Sequence, residues 1–206
     1  RIAIDESRLR ALLDRFKNDG LGADDVISEL RGLPFRDLDF ARVDHHRAVR
    51  TGFPEVVFAE GKSAEQVASI AEEILQGSDR LLVTRATSEV FAAVKQRVPD
   101  SSYDELARAI VADRRTERET APGVVVACAG TADLPVALEA TVTAELMDCE
   151  VERLFDVGVA GIHRLLSEMP ALQRARVIVV VAGMEGALTS VIGGLVSVPV
   201  VAVPTS

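Results

Sequence analysis

The stretch Gly123-Val-Val-Val-Ala-Cys-Ala-Gly-Thr-Ala-Asp-Leu-Pro135 decides the fold of the second half of the chain. Val124 to Cys128 is an unbroken apolar run, which is typical of a strand buried on both faces of a parallel sheet. A short glycine-containing turn follows, and then a helix pattern from about Asp133 to Met147. The stretch therefore predicts a buried strand, a tight turn and a helix, in that order.

The same order recurs to the end of the chain. Three further strands and two further helices are predicted: Val151 to Phe155, a helix from Ile162, Val177 to Val181, a helix over Leu188 to Leu195, and Val200 to Val203. Strands that alternate with helices at this spacing indicate a parallel sheet with right-handed crossovers. Residues 121–206 are therefore predicted to form one α/β domain of the flavodoxin/Rossmann-like kind.

The first 120 residues have a different composition, and we predict that they form a separate, smaller α/β domain. The expected elements are a helix around Leu9 to Phe16, a helix from Ala23 to Leu30, a strand at Val56 to Phe58, a helix from Ala64 to Leu75 capped by Ser63, a strand from Arg80 to Thr84 and a helix from Glu89 to Gln96. Residues 35–54 are expected to be polar and irregular. Residues 113–122 are expected to be a solvated connection between the domains.

Charge and composition exclude several classes of protein. The net charge is −9, from 23 basic and 32 acidic residues, so a chain-wide basic surface for nucleic acid is absent. No apolar run is long enough to span a membrane, and two sparse cysteines favour a reducing compartment, so a cytoplasmic protein is predicted. Because Arg1 is not an initiator methionine and the last strand lacks a covering helix, we expect residues to be missing at both ends.

Candidate binding residues lie where the predicted parallel strands end, because ligands of such sheets bind at the carboxyl edge. The candidates on this edge are Gly130, Thr131, Asp133, Asp156, Gly158, Gly161, His163, Arg164, Gly183, Met184, Glu185, Gly186, Thr205 and Ser206. Each also has a purely structural interpretation: a helix cap for Thr131 or Asp133, tight turns for the glycines, a favourable helix-dipole contact for Glu185, and a surface pair for His163 and Arg164. Their convergence on one edge favours a nucleotide-like ligand.

Three other features leave alternatives open. Cys128 ends a buried strand, which favours a structural role over a nucleophilic one. Cys149 is expected in a helix-to-strand turn at the opposite edge of the sheet, far from the inferred crevice. His45 and His46 are compatible with hydrogen-bonded scaffolding, ligand contact or, less favourably, metal binding, since adjacent side chains of an extended segment point apart. Arg47 could supply a cationic contact for a phosphate.

These residues carry a resemblance to two related families. Gly130-Thr-Ala-Asp-Leu-Pro135, Gly161-Ile-His-Arg164, Ala182-Gly-Met-Glu-Gly-Ala187 and the final strand resemble motifs of the PurE family of aminoimidazole ribonucleotide carboxylases and mutases. The resemblance to the LarB family of nickel-pincer nucleotide biosynthesis is closer and covers nearly the whole chain. It includes Asp44-His-His-Arg47, Gly52-Phe-Pro-Glu-Val-Val57 and Gly61-Lys62, which true PurE proteins lack.

The resemblance implies an enzyme that adds CO2, supplied as bicarbonate, to the pyridinium ring of nicotinic acid adenine dinucleotide. It would also hydrolyse the phosphoanhydride, giving pyridinium-3,5-biscarboxylic acid mononucleotide and AMP. It implies catalytic roles for Asp133, Glu185 and His163 and substrate contacts for the other crevice candidates and Arg47. Mg²⁺ is a candidate cofactor without assigned ligands, and a homo-oligomer, an octamer in PurE proteins, is expected.

The sequence departs from the family pattern at one place, since the family's cysteine lies beyond the final Pro-Thr-Ser. We therefore expect weak binding and little turnover from residues 1–206 alone. A PurE-type carboxylase or mutase and a non-catalytic nucleotide-binding module remain the alternatives.

Overall fold

The computed structural model describes residues 6–18, 20–31, 36–38, 40–45 and 47–205. The chain divides into two compact units. One comprises the chain up to Tyr103 together with Ile110–Arg115, and the other comprises Asp104–Ala109 together with the chain from Thr116 onward. None of the helices in the described ranges is long and apolar enough to cross a membrane.

The first unit contains helices and short strands. In chain order they are α1 (Glu6–Lys17), α2 (Ala23–Arg31), β1 (Arg36–Asp37), β2 (Arg42–Val43), α3 (Arg47–Thr51), β3 (Val57–Phe58), α4 (Ala64–Gly77), β4 (Arg80–Thr84), α5 (Ser88–Arg97), β5 (Ser102–Asp104) and β6 (Ala109–Asp113). Helix α4 begins where predicted, because the hydroxyl of Ser63 accepts from the N–H of Gln66 and the Gln66 side chain accepts from the N–H of Ser63.

The main sheet of the first unit has the order β3-β4-β6-β5 and is mixed. Strand β3 pairs with β4 in parallel, and β6 pairs with β4 antiparallel. The core lies between this sheet and α4 and includes Leu81, Val83 and Ile110 from the strands and Val67 and Ile74 from the helix. The α/β class is thus confirmed, while the β5–β6 hairpin was not predicted.

The expectation that residues 35–54 are irregular was wrong. Strands β1 and β2 form a two-stranded antiparallel ladder with Arg36 opposite Val43, and α3 follows. Elements of two to five residues are too short to produce the hydrophobic periodicity on which the sequence interpretation depends.

The second unit follows its predicted order closely. Its elements are β7 (Ala121–Cys128), α6 (Leu134–Leu146), β8 (Cys149–Leu154), α7 (Ile162–Ser167), α8 (Met169–Arg174), β9 (Val177–Ala182), α9 (Ala187–Leu195) and β10 (Val200–Pro204). Single 3₁₀ turns at Thr131–Asp133 and Val159–Gly161 precede α6 and α7. Cys149 begins β8 rather than lying in the preceding turn.

All four strands of this sheet are parallel, in the order β10-β9-β7-β8. Alternate residues of β7 face opposite layers, as strand geometry requires. Val125 and Ala127 pack in a cluster with Leu165, Leu172 and Ile192, whereas Val126 and Cys128 pack with Ala137 and other α6 residues. Helices therefore cover both faces of the sheet, which confirms a PurE-like α/β fold.

Candidate active site

The strand order places a topological switch point between β7 and β9. From β7 the chain moves to β8 on one side, and then crosses to β9 and β10 on the other. Ligands of open parallel sheets bind at such a point, beyond the carboxyl ends of the two central strands. Cys128 at the end of β7 lies opposite Val181 of β9, so the turns after these two strands form the walls of the crevice.

The turn after β7 is closed by the carboxylate of Asp133. The N–H of Gly130 donates to Oδ2 of Asp133 at 3.0 Å, and the N–H of Asp133 donates to the carbonyl of Gly130 at 3.1 Å. Asp133 is buried, whereas Thr131 is exposed. Of the two predicted capping residues it is therefore Asp133 that holds the turn.

The turn after β9 and the end of β10 meet this same carboxylate. The hydroxyl of Thr205 donates to Oδ1 of Asp133 at 2.5 Å, and the N–H of Thr205 donates to the carbonyl of Ala182 at 3.1 Å. A Cβ at Gly183 would lie 3.0 Å from the Thr205 hydroxyl. The structure thus brings together four predicted site residues: Gly130, Asp133, Gly183 and Thr205.

The turn after β8 packs directly against the turn after β7. The N–H of Val157 donates to the carbonyl of Cys128 at 3.0 Å, and a Cβ at Gly158 would lie 2.7 Å from the carbonyl oxygen of Ala129. Only glycine permits this approach. Asp156 begins the turn with a positive φ of 59°, a conformation that residues other than glycine adopt at some energetic cost.

Arg164 folds back over this turn. Its guanidinium forms an ion pair with Asp156, and a Cβ at Gly161 would lie 2.6 Å from its Nε. Gly161 therefore leaves the space that the arginine side chain occupies. Asp156 and Arg164, predicted independently as ligand contacts, are bonded to each other.

Other predicted residues lie on the same edge but point into solvent. Met184 is fully exposed and has a positive φ of 55°, and Glu185 beside it is exposed. Gly186 has a φ of 66°, and its N–H donates to the carbonyl of Gly183 at 3.1 Å. His163 is exposed on α7. Within the described residues, neither His163 nor Glu185 forms a hydrogen bond with the group of Gly130, Asp133, Gly183 and Thr205.

Cys128 is fully buried beneath the crevice, as the sequence predicted. Its thiol donates a weak hydrogen bond to the carbonyl of Gly130 at 3.7 Å. Burial raises the pKa of the Cys128 thiol; a backbone hydrogen bond at Asp156 lowers it in part, and the carboxylates of Asp133 and Asp156 raise it further. A buried thiol that resists ionisation is a poor nucleophile.

Comparisons with known proteins show which family the chain resembles. Residues 35–129 match the family model described as LarB/PurE-like N-terminal domain. The chain is 35% identical to the uncharacterized protein MJ0165 of Methanocaldococcus jannaschii over an alignment of 210 residues. The alignment covers 96% of this chain and 81% of that protein. The chain belongs to the LarB family. The resemblance found in the sequence is thereby confirmed, and it places the chain in a carboxylase-related enzyme family.

Two LarB-family motifs of the first unit meet at a small pocket. The N–H of Asp44 donates to Oε2 of Glu55 at 2.8 Å, and Nε2 of His45 lies 3.0 Å from Oε1 of Glu73, with 10% of the His45 side chain and 6% of the Glu73 side chain exposed. Asp44, His45 and Glu55 line the pocket. His45 is thus part of a hydrogen-bonded scaffold, while His46 lies outside the described residues.

Sequence reasoning missed Glu73. It occupies a buried position of α4, one turn from Ile70 and Gly77, which are also buried. An acidic residue on the apolar face of an amphipathic helix is a detectable signal, because a buried carboxylate needs a partner.

The remaining site predictions have separate outcomes. Arg47 is exposed at the start of α3 in the first unit, and Ser206 lies outside the described residues. No group of three or more His, Cys, Asp or Glu residues in the described part of the chain could hold a metal ion. These residues therefore form no protein cage for Mg²⁺.

Proposed function

We propose that the second unit, in the complete protein, carboxylates the pyridinium ring of nicotinic acid adenine dinucleotide. The enzyme would also cleave the phosphoanhydride, releasing pyridinium-3,5-biscarboxylic acid mononucleotide and AMP. The observation that carries the proposal is the crevice at the β7–β9 switch point, built from Gly130, Asp133, Gly183 and Thr205 in a LarB-family chain.

The crevice has features that suit an anionic dinucleotide. Gly158 and Gly183 leave room for the close packing of the turns around the crevice, and the turns present N–H groups at the starts of helices. Arg164 is the arginine positioned at the turn after β8, where a phosphate could exchange for the carboxylate of Asp156. Thr131, Asp156, Gly161, Met184, Gly186 and Ser206 are further proposed contacts.

The chemistry requires a nucleophile that Cys128 does not provide. A cationic pyridinium ring cannot attack CO2 until a thiolate adds to it and turns it into an enamine. The pKa of the Cys128 thiol is raised by burial, which opposes thiolate formation at neutral pH. By resemblance to the LarB family, whose cysteine lies beyond the final Pro-Thr-Ser, we propose that this cysteine supplies the thiolate. Glu185 and His163, both exposed at the crevice edge, would act in proton transfer.

The test incubates the protein encoded by the complete open reading frame with nicotinic acid adenine dinucleotide, bicarbonate and Mg²⁺. We expect AMP and a nucleotide product heavier by one carboxyl group, measured by chromatography and mass spectrometry. Glu185→Gln should lower turnover by about 100-fold or more if Glu185 transfers a proton. Glu168→Gln, a change outside the predicted site, is the control and should retain turnover.

The two alternatives predict different outcomes of the same assay. Turnover of an aminoimidazole ribonucleotide without turnover of the dinucleotide would favour a PurE-type mutase. Tight nucleotide binding with no product from either substrate would favour a non-catalytic binding module. Either result would contradict the proposed carboxylase.

A further inference from the structure

The carboxylate of Asp133 lies where three separate chain segments meet. One oxygen accepts the N–H of Gly130, and the other accepts the hydroxyl of Thr205, a residue 72 positions later in the chain. We propose that Asp133 and Thr205 are positioning residues: they fasten the end of β10 to the turn after β7 and thereby fix the shape of the ligand crevice. We call this pair the Asp133–Thr205 latch.

Backbone contacts extend the latch to the third segment. The N–H of Thr205 donates to the carbonyl of Ala182 at the end of β9. Gly183 follows at once, and a Cβ there would lie 3.0 Å from the Thr205 hydroxyl and 3.8 Å from Oδ1 of Asp133. A side chain at position 183 would press on the hydroxyl, so Gly183 leaves the space that the latch occupies.

Both carboxylate oxygens of Asp133 hold protein groups in place. Asp133 is 7% exposed, and each oxygen accepts a hydrogen bond from the protein. Each oxygen has a second lone pair, so the positioning role rests on the two protein donors that these hydrogen bonds hold. Asp133 acts in this role through the positions of Gly130 and Thr205.

Loss of the Thr205 hydroxyl should weaken the turn that the Asp133 carboxylate closes at Gly130. Hydrogen bonds to an ionised carboxylate are stronger than neutral ones, and a buried carboxylate that loses a partner pays a desolvation cost. The carboxylate can recover solvent only if the short turn from Gly130 to Asp133 opens. The expected result is a local opening of residues 129–133 caused by a substitution at Thr205, 72 positions after Asp133 in the chain.

The experiment compares Thr205→Val, Thr205→Ser and Thr143→Val in the ligand-free full chain. Serine keeps the donating hydroxyl. Thr143→Val is the control, because the Thr143 hydroxyl donates only to the Glu139 carbonyl within α6. Hydrogen exchange measured by mass spectrometry should become about tenfold faster at residues 129–133 in Thr205→Val, which corresponds to a loss of about 1.4 kcal/mol. The other two variants should exchange there like the wild type.

Two results would overturn the latch: unchanged exchange at residues 129–133 in Thr205→Val, or an acceleration spread evenly over the whole chain. If Thr205→Val does not fold, Gly183→Ala takes its place, because its Cβ would push the hydroxyl away from Asp133. Gly193→Ala is then the matched control, since nothing lies within 4 Å of a Cβ at Gly193. Equal exchange in these two glycine variants would also refute the proposal.

A second measurement tests whether the latch shapes the ligand site, and this arm rests on the proposed function. The dissociation constant for nicotinic acid adenine dinucleotide should rise about tenfold in Thr205→Val and stay within about threefold of wild type in Thr205→Ser. Local opening without any loss of affinity would contradict a positioning role. If the wild type does not bind the dinucleotide, the proposed function fails, whereas the exchange measurement still decides whether the latch exists.

Discussion

At the scale of single residues, the crevice depends on close backbone approaches that only particular side chains allow. Gly158 lies so near the carbonyl of Ala129 that a Cβ would come within 2.7 Å of its oxygen. Backbone atoms on both sides leave no flexible group to move aside. The turn after β8 and the turn after β7 therefore constrain each other.

Gly158→Ala is expected to lower stability by about 1–3 kcal/mol, because one of the two turns must shift to relieve the overlap. Thermal unfolding followed by circular dichroism measures the change. Gly193→Ala in α9 is the control, and it should be neutral or slightly stabilising because alanine favours a helix. Equal melting temperatures for Gly158→Ala and wild type would show that the turns do not approach so closely.

The raised pKa of Cys128 has a consequence for alkylation. At neutral pH its thiol stays protonated and buried, so it should react with iodoacetamide much more slowly than the half-buried Cys149. Because the folded pKa lies above the ordinary value of 9.0, native stability should fall as pH rises past that value, where the unfolded thiol ionises and the folded one does not. Rapid alkylation of Cys128 at pH 7, detected by mass spectrometry, would contradict a buried and protonated thiol.

At the scale of elements, the sequence predicted the helices and strands of the second unit well and those of the first unit only in part. Strands β7 and β9 are near-continuous apolar runs, and each is followed by a glycine turn and a helix, so composition and local conformation agree. Strands β5 and β6 gave no such signal. The three residues of β5 are half-buried or exposed, and their place in the sheet depends on tertiary pairing that periodicity does not report.

An ion pair joins the end of β6 to the segment after α5. The guanidinium of Arg114 lowers the pKa of Asp100 from 3.8 to about 2 through a two-pronged hydrogen bond. The pair's stabilisation should therefore be fully present above about pH 4 and be lost as pH falls through 2. Because both groups are exposed, Asp100→Asn should cost no more than about 1 kcal/mol at pH 7 and clearly less at pH 2, where about half of the Asp100 carboxyl is protonated, as measured by urea unfolding. An equal difference at both pH values would exclude the pair as the cause.

Helix α4 depends on its N-terminal cap. Ser63→Ala removes the acceptor for the N–H of Gln66 and should lower the free energy of unfolding by about 1 kcal/mol. Ser88→Ala is the matched control, because Ser88 lies one position inside α5, whose cap is Thr87. Chemical unfolding of both variants measures the difference, and a Ser88→Ala loss as large as that of Ser63→Ala would argue against the capping explanation.

At the scale of the whole molecule, the sequence located the crevice but not its internal bonds. The βα alternation indicated a parallel sheet, which placed the turns around Gly130, Gly158 and Gly183 on one edge, while the strand order came from the structure. The Asp133–Thr205 contact joins residues 72 positions apart, and the Asp156–Arg164 pair turns two predicted ligand contacts towards each other. Such contacts depend on side-chain directions that a motif does not specify.

A homo-oligomer remains a proposal, and α9 offers a way to test it. Gly193 and Gly194 are exposed, and nothing lies within 4 Å of a Cβ at either position. If this smooth surface packs against a second copy, Gly194→Leu should shift the complete protein to smaller species in light scattering while leaving the fold intact by circular dichroism. An unchanged mass for Gly194→Leu would remove α9 from the interface.

We propose that this LarB-family chain supplies the crevice in which a pyridinium ring gains a carboxyl group. Transfer of ¹³C from labelled bicarbonate to the dinucleotide by the complete protein, followed by mass spectrometry and carbon NMR, tests this proposal. We expect one ¹³C carboxyl on the nicotinate-derived ring, released together with one equivalent of AMP. Intact, unlabelled dinucleotide after prolonged incubation with folded protein would contradict the proposal.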